Sequence, residues 1–187
     1  MKSRDITINA MFIAITAILA LVPNLGIIQI GGISMTIIHI PVIVAGIVFG
    51  FRSAVITSLA FGVSSLVVAL TRGATPVDML FINPIVSVFP RLLFGLSVSA
   101  VWNMINKFKI QQDVQVGITA FITTLLHAVF VLTVLAIFLG LDGSIFDQFN
   151  AVIAFVLYVI VQNTIFEAVL AVILSMPLVR VLKKIHR

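Results

Sequence analysis

About six stretches of roughly 20 mostly apolar residues follow one another along this chain, each long enough for a bilayer-spanning helix, and little sequence is left between them for an aqueous domain. A soluble domain would carry charge on about a quarter of its residues, whereas here Asp, Glu, Lys and Arg make up 9% and apolar residues 61% of 187. The pattern predicts an all-α integral membrane protein, one compact bundle of six transmembrane helices across residues 1–187. With no Cys in the sequence, disulfides, thiolate nucleophiles and Cys-ligated metals are excluded. A net charge of +5 would suit nucleic acid, but the basic residues sit at segment ends, so membrane topology accounts for them and no nucleic-acid partner is expected. Met1-Lys2-Ser3-Arg4 ahead of an apolar run has the look of a secretory leader; with several spans following, it reads as the start of the first transmembrane helix.

In chain order, the first span is expected over Ile6–Val22, with Ala10, Ala14 and Ala17 along one face. Small residues at this spacing let helices approach closely in lipid, and taken alone they read as packing within the bundle. Leu25–Thr36, LGIIQIGGISMT, reads as a short loop or hairpin outside the hydrocarbon. A second helix over Ile37–Gly50 carries His39 and Pro41 near its start, where a proline has no donor to lose. A tight reversal at Phe49–Ser53 leads to a third helix over Ala54–Leu70, whose Ala54, Ser58, Gly62 and Ser65 form another close-packing stripe. The loop Thr71–Pro84 precedes a fourth helix over Ile85–Ile105, and the basic connector Asn106–Asp113 leads to a fifth over Val114–Leu139 with His127 near its middle. Gly140–Asn150 is a loop with two Asp and no Lys or Arg, and the sixth helix, Ala151–Leu178, contains Tyr158, Gln162, Asn163 and Glu167.

Six spans place Lys2, Arg4, Arg52, Lys107, Lys109, Arg180, Lys183, Lys184 and Arg187, nine of the eleven basic residues, on one side. The positive-inside rule makes that side the cytoplasm, with both termini there and the three remaining loops external, capping an outer-leaflet pocket. Arg72 alone is expected outside, and Arg91 lies within the fourth span, about six residues or roughly 9 Å below its outer end.

Arg91 is the residue that most demands a reason. A cation in hydrocarbon costs about 2.5–3.5 kcal/mol on insertion scales, so it normally faces a cavity and has a partner; snorkelling to the interface is the plain alternative. A guanidinium suits a carboxylate, to which it gives two parallel charge-assisted hydrogen bonds. His39, Tyr158, Gln162 and Asn163 fall at outer to middle depth, with His127 near mid-membrane and Asn83 just outside, and together with Arg91 they form the candidate substrate-binding set. Taken singly, His127, Gln162 and Asn163 read equally well as interhelical hydrogen-bonding groups. Glu167, expected in the cytoplasmic half, is left out of the set. The chain lacks HExxH, a phosphate-binding Gly-rich loop and GxSxG, so catalysis is not expected and binding is the stronger reading. Rings of charge, a carbonyl filter and inverted repeats are also absent from the sequence, which weighs against a channel or self-sufficient carrier.

The runs HIPVIVAGIVFG (His39–Gly50), FGVSSL (Phe61–Leu66) and NPIVSVFPRLLFG (Asn83–Gly95), in this order and spacing, resemble the substrate-binding S components of energy-coupling factor (ECF) vitamin transporters. The resemblance extends over the whole chain and is strongest to the pantothenate-type members; members for pyridoxine or hydroxymethylpyrimidine, and a self-sufficient secondary carrier, stay open as alternatives. It implies a multi-pass protein of the bacterial plasma membrane, without cofactor or metal, that captures a small water-soluble vitamin from outside. A transmembrane T subunit and two ATPase subunits would supply the energy, with the S component toppling in the membrane to release its cargo. It further implies that the alanine face of the first helix, Ala10 and Ala14 with Ala17 as a further candidate, docks the T subunit.

Overall fold

The structure, a computed structural model, describes residues 3–30, 33–73, 79–141 and 163–186. Among the described residues there are six helices: α1 (Ser3–Leu21), α2 (Ile40–Phe49), α3 (Phe51–Arg72), α4 (Pro84–Ile105), α5 (Gln112–Leu141) and α6 (Ile165–His186). Five of them are long and apolar enough to cross a membrane; α2 is not. Its ten residues rise only about 15 Å, half the thickness of the hydrocarbon. Among the described residues five helices thus reach spanning length, and α2 falls short of it. The reason lies at both ends of α2: the chain enters through a turn in which Ile40 N–H donates to Ile37 C=O at 3.1 Å, and it leaves at Gly50, whose φ of 87° only glycine adopts without strain.

α2 is apolar on every side, which is the signature of a helix enclosed by others, and Ile40 to Ile47 are all buried. It sits against α1, α3, α4, α5 and α6, and its Val42, Ile43 and Ala45 form the middle of a core completed by Phe94, Val98, Val116 and Val179. The small-residue stripe of α3 does what its spacing suggests. Gly62 lies so close to α4 that a Cβ there would stand 2.9 Å from the Val88 Cα, and Ala54 and Ser58 are fully buried.

Leu25–Thr36 resolves into the hairpin form of the expected loop or hairpin. β1 (Ile27–Ile30) pairs antiparallel with β2 (Ile33–Thr36), Ile27 facing Thr36 and Ile30 facing Ile33, so the helical bundle carries one two-stranded element. The stripe expected to pack inside the bundle on α1 does not. The buried residues of that helix are Asn9, Phe12 and Thr16, while Ala10 and Ala14 are exposed and Ala17 is half-buried.

The first turns of α1 and the last turns of α6 meet, since Arg4, Thr7 and Met11 line one cleft with Leu182 and Ile185. Arg52, at the start of α3, lies beside Asp5 and Asn9 of α1, and Lys183 and Lys184 stand with Gln111 and Gln112 at the start of α5. One end of the bundle therefore gathers Arg4, Arg52, Arg180, Lys183 and Lys184, and the far end of α3, about 33 Å away along its 22 residues, carries Arg72.

Candidate functional site

α4 opens with a cap that its sequence prescribes. Asn83 is the N-cap, its Oδ1 accepting from Ile85 N–H at 2.9 Å, and Pro84 follows in the first turn, where its missing donor costs nothing. Pro90 is the second proline, and it lies inside the helix. Having no N–H, it leaves the carbonyl four residues earlier, that of Val86, without a helical donor. Arg91 fills the gap: its Nη1 donates to Val86 C=O at 3.0 Å. The order Pro90-Arg91 thus frees an acceptor and supplies the donor that takes it, which holds the guanidinium back along α4.

Arg91 is only 7% exposed, and its Nε has no hydrogen-bond partner. Its guanidinium carbon lies 5.0 Å from the centre of the Phe81 ring and 5.6 Å from that of Phe61, within cation–π range. Phe81 is fixed in turn by its own carbonyl, which accepts from the Ser87 hydroxyl. The side chain borders a cavity of about 430 Å³ lined also by Thr36, Ser65, Arg72 and His127, a volume within the range of small-molecule sites.

His127 joins Arg91 on this cavity. Behind it, His39 stacks on the His127 ring at 6.1 Å between centroids and 25° between planes, and Phe94 wedges against both, 4.7 Å from His127 and 6.3 Å from His39. Neither nitrogen of His39 has a partner, nor has Nε2 of His127, although His39 occupies the N-cap position of α2 and is 1% exposed. Buried donors and acceptors are normally satisfied, so an imidazole and a guanidinium with open positions on one cavity, backed by a second imidazole, leave hydrogen-bonding positions unused.

Of the residues expected from sequence, Arg91 and His127 thus line the cavity and His39 stands directly behind. Asn83 does not join them: its oxygen is occupied in capping α4. Asn163 is half-buried in the turn that leads into α6 and is not among the lining residues. Tyr158 and Gln162 lie outside the described residues. Glu167 is not in the half of the bundle where sequence reading put it. It falls in the first turn of α6, at the hairpin end, where its Oε1 accepts from both Thr36 N–H and the Thr36 hydroxyl at 2.8 Å. The reading counted its depth from a start at Ala151, which lies outside the described residues, whereas the two bonds to Thr36 fix Glu167 at the hairpin end.

Phe61, Ser65 and Arg72 were missed, and a periodicity signal for them exists. On α3 they stand at i, i+4 and i+11, close to one helical face at 3.6 residues per turn, and all three border the cavity. The same stripe that packs through Ser58 and Gly62 opens onto the cavity at Ser65.

Residues 4–179 match the model of the family described as ECF transporter, substrate-specific component. The chain is similar to the pantothenic acid transporter PanT of Lactococcus lactis subsp. cremoris, 29% identical over 98% of this chain and 95% of that protein. It is also similar to the pantothenate transporter PanT of Leuconostoc mesenteroides subsp. mesenteroides, 30% identical over 54% of this chain and 52% of the relative.

Proposed function

Since the chain belongs to the family of ECF transporter substrate-specific components, we propose that it is the membrane-embedded subunit that captures pantothenate from outside the cell and delivers it through a T subunit and two ATPase subunits. The family and both relatives are transporters, and the five long apolar helices fit a multi-pass protein of the cell membrane. The observation that carries the choice of vitamin is Arg91, a nearly buried guanidinium with an unpartnered Nε on a cavity. Pantothenate has a carboxylate at neutral pH; pyridoxine and hydroxymethylpyrimidine do not. A fixed positive charge in a low-dielectric cavity favours the acid over neutral molecules of similar size.

Within that cavity Arg91 takes the carboxylate, while His127, with His39 behind it, hydrogen-bonds the hydroxyl or amide groups. Tyr158, Gln162 and Asn163 belong to the same proposed set by their position in sequence; Asn83 serves it indirectly, by capping the helix that carries Arg91. The basic end of the bundle, with Arg4, Arg52, Lys183 and Lys184, faces the cytoplasm under the positive-inside rule, which turns the cavity, at the Arg72 end, outward. The exposed Ala10–Ala14 face of α1 is the T-subunit contact: smooth, apolar and free of the bundle's own packing. The chain acts as a single membrane unit with no cofactor.

Mass spectrometry of the small molecule that co-purifies with the chain from cells in rich medium tests the reading. Recovery of pantothenate is expected; recovery of a neutral vitamin, bound equally well by Arg91→Ala, would overturn the pantothenate assignment and leave the family membership standing.

A further inference from the structure

We infer that Arg72 is a second recognition residue of this site, the charge at the cavity's rim that draws in and selects anionic ligands, with Arg91 as the charge within. The inference rests on the reading of the cavity as the vitamin site. Arg72 is the last residue of α3; it is exposed and borders the same cavity as Arg91. Its Nη2 donates to the carbonyl of Leu21, the last residue of α1, where helix carbonyls lack intrahelical donors and a cation is favoured. That bond holds the guanidinium at the junction of α1 and α3, above the cavity.

The charge balance makes this position consequential. Among the described lining residues there are two guanidiniums and no carboxylate; Glu167, on the hairpin side, is turned onto Thr36. A cleft lined by one sign of charge between apolar walls concentrates the field and raises the rate at which opposite charges arrive. The two arginines differ in exposure, and exposure decides what each controls. An exposed rim charge acts on association and on its salt dependence, whereas a desolvated charge acts on dissociation.

The test is stopped-flow binding of pantothenate and of pantothenyl alcohol, the neutral analogue with a hydroxymethyl group in place of the carboxylate, to the purified full chain at low and high salt. Arg72→Gln should slow pantothenate association about three- to tenfold at low salt and flatten its salt dependence. Pantothenate dissociation and both rates for the alcohol should stay as in wild type. Arg72→Lys should keep most of the wild-type rate, because steering needs charge rather than the planar fork. Binding of the alcohol by Arg72→Gln certifies its fold; should that variant fail to bind it, Arg72→Met against Arg72→Lys provides the same comparison. Equal losses for both ligands, or pantothenate association indifferent to residue 72, would assign Arg72 to the helix junction alone and overturn this inference without touching the vitamin reading. A wild-type chain that binds neither ligand would overturn both.

Discussion

Arg91 and Val86 are joined by a hydrogen bond of 3.0 Å from guanidinium to carbonyl, one that exists because Pro90, lying between them in the chain, cannot provide the helical donor. A helix-breaking residue and a membrane-buried charge, each unfavourable by itself, here satisfy one another. The arrangement uses one nitrogen of the guanidinium and leaves Nε without a partner.

Pro90→Ala would restore a backbone donor to the Val86 carbonyl and release the guanidinium. Because a net hydrogen bond is worth about 0.5–1.5 kcal/mol, pantothenate affinity measured by calorimetry should fall by roughly two- to tenfold, with no loss of thermal stability. Unchanged affinity would show that the bond to Val86 does not set the position of Arg91.

Arg91→Ala removes the charge itself. Hydrogen bonds to charged groups are worth about 1.5–3 kcal/mol, so the dissociation constant for pantothenate should rise by about one to two decades. Arg91→Lys should recover part of this, since a point charge cannot give two parallel bonds. Pantothenyl alcohol, lacking the carboxylate, should be affected far less by either change.

Ala14 is exposed on α1, so Ala14→Phe introduces a bulky side chain without crowding the bundle. Close approach of a partner helix needs small residues. Uptake by the full complex reconstituted in liposomes should drop severalfold while the isolated chain binds vitamin as before. Impaired binding by the isolated chain would contradict the docking role.

Glu167 reaches across from α6 to hold the end of the hairpin through two 2.8 Å bonds to Thr36. In Glu167→Gln the carbonyl oxygen keeps an acceptor but loses its charge, and the charge-assisted component should go with it. Hydrogen exchange at the Thr36 amide is expected to quicken about tenfold, with the core amides of α2 unchanged. Exchange as slow as in wild type would mean that the hairpin is held by other contacts.

Much was legible in the sequence because the bilayer imposes one-dimensional rules. Apolar runs of spanning length gave α1, α3, α4 and α5 to within three residues, the glycine-rich run between the first two helices read as a loop or hairpin, and the isolated Arg91 asked for a cavity, since burial of a charge in lipid needs a reason wherever it occurs. The distribution of basic residues anticipated that Arg4, Arg52 and the end of α6 would share one end. What the sequence could not decide were matters of rotation and depth. Ala10 and Ala14 have the same spacing whether they face the bundle or the outside, and only the packing of Asn9, Phe12 and Thr16 inward turned them out. Apolar content cannot tell a short enclosed helix from a spanning one, so α2 was read too long; its ends are set by a turn and by the left-handed Gly50. The depth of Glu167 was counted along its own helix, and the partner that places it, Thr36, is 131 positions away in the chain. Arg72 was taken for a loop charge because the third helix was ended at Leu70; α3 runs to Arg72, and only then does the face shared with Phe61 bring it to the cavity. Local hydrophobic pattern determines which segments enter the membrane, but convergence of side chains from α3, α4, α5 and the hairpin is a property of their packing, and only the tertiary structure decided it.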